Sequence, residues 1–440
     1  MASQMKRRRA IHVSAAGALG SLPLFMQSAS ASIANSKMQI GVIGLGGRGM
    51  YLLDNLLKRK DVQVTAICDV HDLHYRDNPW GKGRAMGRQG ALDAIKKAHG
   101  STDGVLVCKD YRELCARSDV DAAVVATPDH WHALCAIEAM DSGKDVYCEK
   151  PVAHSFTEGL KICEAVERNK AVFQTGSQQR SDRLFRQATE IVRNGLLGQI
   201  QKIEVGLPPG YAKPMGDSKL EKIPDGLDYD LWCGPAKKLP YMRARHHRWW
   251  RGSRTFGGGV LMDWIGHHND IAQWSIGEDA SGPRTIEAVN WRFPETDVYD
   301  TPHQYEIRCT HARRIESIIS TQNKVGTKWI GEDGWLHVTR GRITASNPEW
   351  KEEDFDAGPE NVYVSNDHMQ NFLDCVRSRK RCISPPDVTL RSITPGLLGY
   401  VSQRLGRAIS WDGKKQQVVG DEEASQLLHA VDMREPFGLI

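Results

Sequence analysis

Met38-Gln-Ile-Gly-Val-Ile-Gly-Leu-Gly-Gly-Arg-Gly-Met-Tyr-Leu-Leu-Asp-Asn-Leu-Leu57 is the stretch on which the fold turns. Its first six residues read as a buried strand. Gly44 to Gly49 form a glycine turn, and Leu52, Leu53, Leu56 and Leu57 mark the apolar stripe of a helix. Gly44 permits the tight turn, Gly46 and Gly47 let the backbone approach a pyrophosphate beside Arg48, and Gly49 allows close helix packing. The next apolar run, Val62–Cys68, ends in Asp69, at the offset where an acid accepts hydrogen bonds from ribose hydroxyls. A glycine turn without a ligand does not account for Asp69 as well. An acid there repels a 2′-phosphate, so NAD is expected in preference to NADP, although Arg84 and Arg88 in the following loop favour the phosphorylated form.

Outward from this unit, strand-like and helix-like runs alternate: Leu92–His99, Val105–Cys108, Tyr111–Ser118, Ala122–Ala126, Ala133–Ser142, Asp145–Cys148, Phe156–Asn169 and Ala171–Thr175. Such alternation specifies a doubly wound parallel sheet, a Rossmann fold over about residues 37–176. The connection from His71 to Gly90 is long, and reads either as a cover for the adenine or as a surface insertion. Two strand ends carry polar residues into the crevice where such sheets bind ligands: Thr127-Pro128-Asp129-His130-Trp131-His132 and Glu149-Lys150-Pro151. The remaining runs, Gln201–Gly206, Thr285–Arg292, Gln304–Cys309, Ile315–Ser320 and Trp335–Thr339, suggest a second sheet in an α+β region spanning 177–385. A helix from Val388 to Leu405, interrupted around Pro395, and an aperiodic tail occupy 386–440.

The 440 residues are 40% hydrophobic and 25% charged, which excludes disordered, collagenous and coiled-coil chains. Lys6, Arg7, Arg8 and Arg9 account for the whole formal charge of +4, so the remaining chain has no global drive toward polyanions, and nucleic acid is not the expected ligand. These basic residues, the small apolar run Ala10–Met26 and Ala29-Ser30-Ala31 make residues 1–31 a signal peptide of twin-arginine type. The expected destination is the periplasm or another exported location. No further stretch is long and apolar enough to span a membrane, so stable membrane insertion is not expected. Ten cysteines without any C-x-x-C read as small buried hydrophobes, suited to folding in a reducing compartment before export.

Taken in order, Gly44-Leu-Gly-Gly-Arg-Gly49, Cys68-Asp69, Ala126-Thr-Pro-Asp-His-Trp-His132 and Glu149-Lys150-Pro151 resemble the glucose–fructose oxidoreductase, inositol dehydrogenase and rhizopine-catabolism (Gfo/Idh/MocA) family. Gly257-Gly-Gly-Val-Leu-Met-Asp263-Trp-Ile-Gly-His267-His-Asn-Asp270 resembles that family's second-domain motif. The resemblance implies a nicotinamide-binding domain followed by an α+β domain with an open, mainly antiparallel sheet, and a homodimer or homotetramer. It further implies a cofactor side lined by the glycine loop, Asp69, Thr127, Pro128, His130, His132, Glu149 and Lys150. Lys150 corresponds to the lysine near the reacting hydroxyl, His267 to the general base and Asp263 to an acid one helical turn earlier, spaced to orient the histidine. Gln178, Arg180, His247 and Trp249 are candidates for holding substrate, in a region rich in the aromatic and polar residues that suit carbohydrate. Asp263, His267, His246 and His247 make a poor metal set, because adjacent histidines do not readily turn both rings to one ion; no metal is expected.

The resemblance implies an NAD-dependent oxidoreductase acting on a hydroxyl of a sugar, cyclitol or glycoside. Export without a cofactor supply then requires bound, captive cofactor. The alternative implied by the same family is an NAD-dependent glycosidase like its α-N-acetylgalactosaminidases, which oxidises, eliminates, hydrates and reduces without net redox change.

Overall fold

A computed structural model describes residues 37–76 and 83–439; the leader and the segment 77–82, on which the export expectation and part of the long loop fall, lie outside the described residues. The first sheet contains β1 (Met38–Ile43), β2 (Val62–Cys68), β5 (Leu106–Cys108), β6 (Ala122–Val125), β7 (Asp145–Cys148) and β8 (Phe173–Thr175), while a two-stranded hairpin, β3 (His74–Tyr75) with β4 (Ala85–Met86), rises from the loop after β2. The order is β5-β2-β1-β6-β7-β8, all parallel. Helices cover both faces of such a sheet, which is why Ile40, Val42, Ala122, Val124 and Val146 are almost without exposed surface and the strands read as continuous apolar runs rather than alternating ones.

The second sheet has nine strands: β9 (Ile200–Gly206), β10 (Thr285–Arg292), β11 (Gln304–Thr310), β12 (Glu316–Ser320), β13 (Gly326–Gly331), β14 (Trp335–Thr339), β15 (Arg342–Ala345), β16 (Ile409–Asp412) and β17 (Gln417–Val418). They lie in the order β15-β14-β13-β9-β12-β11-β10-β16-β17. Each neighbouring pair is antiparallel except β9 with β12. Alternation is visible in β11, where Tyr305, Ile307 and Cys309 are buried and Arg308 and Thr310 exposed. Trp329, fully buried on β13, donates its indole N–H to Ser275 Oγ at 2.8 Å and so fixes the end of the helix Gly259–Ser275 against the sheet.

Three features depart from the sequence reading. The tail after Trp411 is not structureless: it adds β16 and β17 to the second sheet and ends in the helix Glu422–His429, capped by Asp421. The helix expected to break near Pro395 runs unbroken over Pro386–Leu405, packed on the Gly259–Ser275 helix. The helix His368–Ser378 lies between β15 and β16 of the second sheet in the chain, yet packs with the first sheet, where Met369, Phe372 and Leu373 join the core of Ile40, Val42 and Leu53. Arg379 anchors this return by pairing with Asp145 at the start of β7.

Candidate active site

The glycine turn enters a helix, Gly47–Leu57, whose N-terminus has no side-chain cap, so its first N–H groups remain available to an anion. Gly44 adopts φ +88, and a Cβ there would press on the backbone of Ala126 and Thr127 at 2.8 Å. A Cβ on Gly49 would overlap the Gly44 carbonyl, whereas Gly46 faces open space. Asp69 organises the turn: one oxygen accepts the Leu45 N–H at 2.6 Å and the other the His71 N–H at 2.8 Å. Arg48 donates to Glu149 Oε1 at 2.8 Å, and Gln178 bonds the same oxygen at 3.0 Å and the Tyr147 hydroxyl at 2.8 Å. Thr127 Oγ1 is buried beside the turn without a partner. An open helix N-terminus, a turn crowded at Gly44 and Gly49 but open at Gly46, and an orphaned hydroxyl fit a dinucleotide.

Gly44, Gly46, Arg48, Asp69, Thr127 and Glu149 line one wall of a cleft of about 710 Å³, together with Pro128 and His132. The opposite wall comes from the second half of the chain. Lys150 follows β7 and is joined to Pro151 by a cis peptide bond. Its Nζ donates to Asp263 Oδ1 at 2.6 Å and to the Asp263 carbonyl at 2.8 Å. Arg251 stands 3.2 Å from the same carboxylate oxygen and stacks 4.2 Å over the Trp250 ring. Burial opposes ionisation of Asp263, but Arg251 and Lys150 outweigh it and hold the carboxyl well below its usual range.

His267 lies one helical turn beyond, also on the cleft. Burial, reinforced by the charges of Lys150 and Arg340, pushes its pKa well below the ordinary value, so the ring is a neutral proton acceptor at neutral pH. Its Nδ1 has no hydrogen-bond partner. Asp129 completes the polar group: it is 4% exposed, accepts a long bond from the Gly258 N–H at 3.4 Å, and is pushed up to about 7 by burial and by Asp263, against the pull of Arg251 and Lys150.

Two family models match the chain. Residues 38–177 correspond to the NAD-binding Rossmann fold of the Gfo/Idh/MocA oxidoreductases, and residues 182–439 to their C-terminal alpha/beta domain. The chain belongs to the Gfo/Idh/MocA oxidoreductase family. Among its relatives is an α-N-acetylgalactosaminidase of Shewanella oneidensis, 30% identical over 165 residues, a match spanning 37% of this chain and 33% of the relative. The WlbA dehydrogenase of Chromobacterium violaceum, solved with NADH and UDP-GlcNAcA, shares the fold with a TM-score of 0.60 at 19% identity, over 86% of this chain and 96% of that one. The aldose–aldose oxidoreductase of Caulobacter crescentus does so with a TM-score of 0.59 at 16% identity, over 85% and 99%.

On the Gfo/Idh/MocA scaffold the structure gathers Gly44, Gly46, Gly47, Arg48 and Asp69, then Thr127, Pro128, His132, Glu149 and Lys150, and finally Gln178, His247, Asp263 and His267, around one cleft. Gly49 sits one layer below, where it keeps the helix close to the turn. Four expectations need correction. His130 is spent on packing: Nδ1 lies 3.1 Å from the Phe256 carbonyl and Nε2 3.0 Å from that of Trp232, tying the first sheet to the substrate half. Arg180 is buried in a bidentate pair with Asp270 and a second pair with Asp279, and leaves nothing for a substrate. Trp249 turns away to pack edge-on against Tyr211, and its neighbour Trp250 reaches the cleft instead. Asp263 does not hold the His267 ring; its Oδ1 serves Lys150 and faces Arg251.

Arg251, Asp129, Tyr211 and Arg340 are cleft residues that the sequence reading did not single out. Asp129 was within the quoted strand-end motif and was the findable one; the others reach the cleft from irregular chain or a distant hairpin. The described residues also include one group of three histidines, His71, His74 and His247, on the cleft wall.

Proposed function

We propose that this chain oxidises a hydroxyl of a sugar, cyclitol or glycoside, using a captive NAD. The observation that carries the reading is the Lys150–Asp263 pair at 2.6 Å beside a neutral His267, on the same cleft as an uncapped, glycine-lined helix N-terminus. When bound, the nicotinamide supplies the acceptor for the hydride that leaves the substrate carbon. Lys150, fixed at two points by Asp263, places a positive charge where the hydroxyl oxygen develops negative charge. His267 takes the hydroxyl proton, and its depressed pKa makes the protonated ring a ready donor when the carbonyl is reduced again. Asp129, Arg251 and the face of Trp250 offer acceptor, donor and stacking surface to the remaining hydroxyls of a ring.

NAD is favoured over NADP because the two cations that would serve a 2′-phosphate are engaged. Arg84 makes a two-point pair with Asp54, and Arg88 bonds the Asp69 carbonyl and Asp72. Export through the twin-arginine route as a folded holoprotein is part of the same proposal, supported by the leader and by ten unbridged cysteines, nine of them buried. Assembly through the open face of the nine-stranded sheet, as a homodimer or homotetramer, completes it.

The match to an α-N-acetylgalactosaminidase favours a second reading, redox-neutral cleavage of a glycoside, which captive cofactor suits equally well. Mass spectrometry of the small molecules released on denaturing the purified protein tests the shared premise, with near-stoichiometric NAD expected and absence of any nicotinamide overturning it. Incubation with a panel of sugars and aryl glycosides, without added NAD, then separates the readings. Accumulation of enzyme-bound NADH marks the oxidoreductase, and aglycone release without net reduction marks the glycosidase.

A further inference from the structure

His71 and His74 stand two and five residues beyond Asp69, on the chain that leaves β2, whereas His247 opens the short 3-10 helix His247–Gly252 on the way to the Gly259–Ser275 helix. Main-chain bonds tie the chain after β2 to a segment about twenty residues before His247: Asp72 N–H donates to the Gly226 carbonyl, Asp228 N–H to that of Val70, and His71 bridges Leu227. The three imidazoles then lie as a stack, with ring centres 3.8 Å apart for His74 and His247, 5.0 Å for His71 and His74, and 5.3 Å for His71 and His247. One ring nitrogen of each lies within 4.8 Å of those of the other two. His247 reaches this position in the left-handed region, at φ 51, which a non-glycine residue adopts only when its surroundings demand it.

Packing alone gives no reason for this arrangement. His71 and His74 are 4% and 7% exposed, and the buried Nδ1 of each has no hydrogen-bond partner. His246, tilted against His247 with ring centres 3.7 Å apart, is 1% exposed with both nitrogens unpartnered. A buried ring nitrogen left unpaired is destabilising, so His71 and His74 side by side call for something that satisfies both at once. A cation that accepts imidazole lone pairs does so. The donor set is nitrogen alone: no thiolate or carboxylate belongs to it, Asp72 beside His71 is paired with Arg88, and Asp69 is engaged by the Leu45 and His71 N–H groups. Imidazole donors suit zinc and its transition-metal neighbours and not magnesium or calcium, which require oxygen.

We propose that His71, His74 and His247 form a three-nitrogen site for a divalent transition-metal ion of the zinc class, with its fourth position open to the cleft. Four-coordinate zinc places its nitrogens about 2.0–2.1 Å from the metal, so the rings turn inward from their stacked positions when the ion binds. Because His71 and His74 follow Asp69 directly while His247 comes from the substrate half, the ion cross-links the two walls of the cleft at its adenosine side. It thereby slows cofactor loss, a consequence that rests on the captive-cofactor reading, whereas metal binding itself does not.

The test uses the full chain without an affinity tag of histidines. Elemental analysis of the purified protein is expected to show about one zinc-class ion per chain. After stripping with a chelator, titration with cobalt(II) alone is expected to saturate at one equivalent with the visible absorption of a four-coordinate site, and X-ray absorption to show three imidazole nitrogens. His74→Gln and His247→Gln are expected to weaken cobalt binding by at least about a hundredfold, with the exposed His99→Gln as the unaffected control. Bound NAD is expected to dialyse out faster from the stripped protein than from the metal-loaded one. Failure of the wild-type chain to take up cobalt or zinc, or uptake at a site whose spectrum His247→Gln leaves unchanged, overturns the proposal. A chain that binds the metal but carries no NAD leaves the site standing and refutes the captive-cofactor reading alone.

Discussion

Replacing Asp263 by Asn shows which neighbour the carboxylate serves. In the fold it accepts a 2.6 Å bond from Lys150 and lies 3.2 Å from Arg251. Asn preserves the shape and removes the charge, leaving two cations facing a neutral group. Losing one partner of a fully buried pair costs about 3–5 kcal/mol. Here the side chains of Lys150, Asp263 and Arg251 keep 14%, 20% and 26% of their surface, and Lys150 retains its 2.8 Å bond to the Asp263 carbonyl. Solvent screening and that remaining bond bring the expected loss to about 2–3 kcal/mol. Urea unfolding of the wild type, Asp263→Asn, Lys150→Met and the double variant measures it, and the cycle is expected to return a coupling of about 2 kcal/mol. A parallel cycle with His267→Asn is expected to give less than about 0.5 kcal/mol. The reasoning fails if Asp263 couples to His267 as strongly as to Lys150, or if Asp263→Asn unfolds like the wild type.

Removing the buried His130 ring as His130→Ala is expected to cost about 2–4 kcal/mol, through lost packing and two stranded carbonyls, while NAD affinity changes less than about threefold; calorimetry and a binding titration together check this. Arg180→Met leaves the buried Asp270 and the part-exposed Asp279 without their cation and is expected to destabilise by about 3–5 kcal/mol with KM for the substrate unchanged, read from thermal unfolding beside steady-state kinetics. Asp129, held protonated up to about pH 7 in the fold but ionised above about pH 4 when unfolded, contributes stability that is present in acid and lost as pH rises through 7. Asp129→Asn is therefore expected to flatten the decline between those limits, by up to about 4 kcal/mol, and urea midpoints across that range that fall as steeply as in the wild type would show that another group titrates. Gly49→Ala forces the helix away from the Gly44 carbonyl and is expected to weaken NAD binding at least about tenfold, measured on cofactor-stripped protein.

What could be read from the chain follows the range of each interaction. The turn at Gly44 and the acid at Asp69 lie within one strand-turn-helix-strand unit, so spacing alone brings them together, as the 2.6 Å bond from Leu45 to Asp69 shows. His130 and Arg180 looked equally available, but their partners are Phe256 and Asp270, 126 and 90 residues further along the chain and past β9. The four-residue spacing of Asp263 and His267 correctly placed both on one helical face, yet charge decided the pairing: a neutral ring cannot compete with Lys150 and Arg251 for a carboxylate. The helix Arg183–Arg193 was missed although its pattern was present, with Phe185, Ala188, Ile191 and Val192 buried behind an Asp182 cap. The histidine cluster was not legible at all, since His71 and His247 meet only through irregular segments.

The position of β9 sets a timetable for synthesis. It is the first strand of the second sheet to leave the ribosome, and it ends up near the middle of that sheet, between β12 and β13. Both of those partners are made more than a hundred residues later, after β10, β11 and the Gly259–Ser275 helix have already emerged. Until then Ile203 and Val205 have no strand beside them, and the helix has no sheet to cover its apolar side. The strands of the first sheet have all been made by Thr175, although its core still waits for the helix His368–Ser378; the second sheet must wait for β12 and β13, and until then its edges are open to pairing with others.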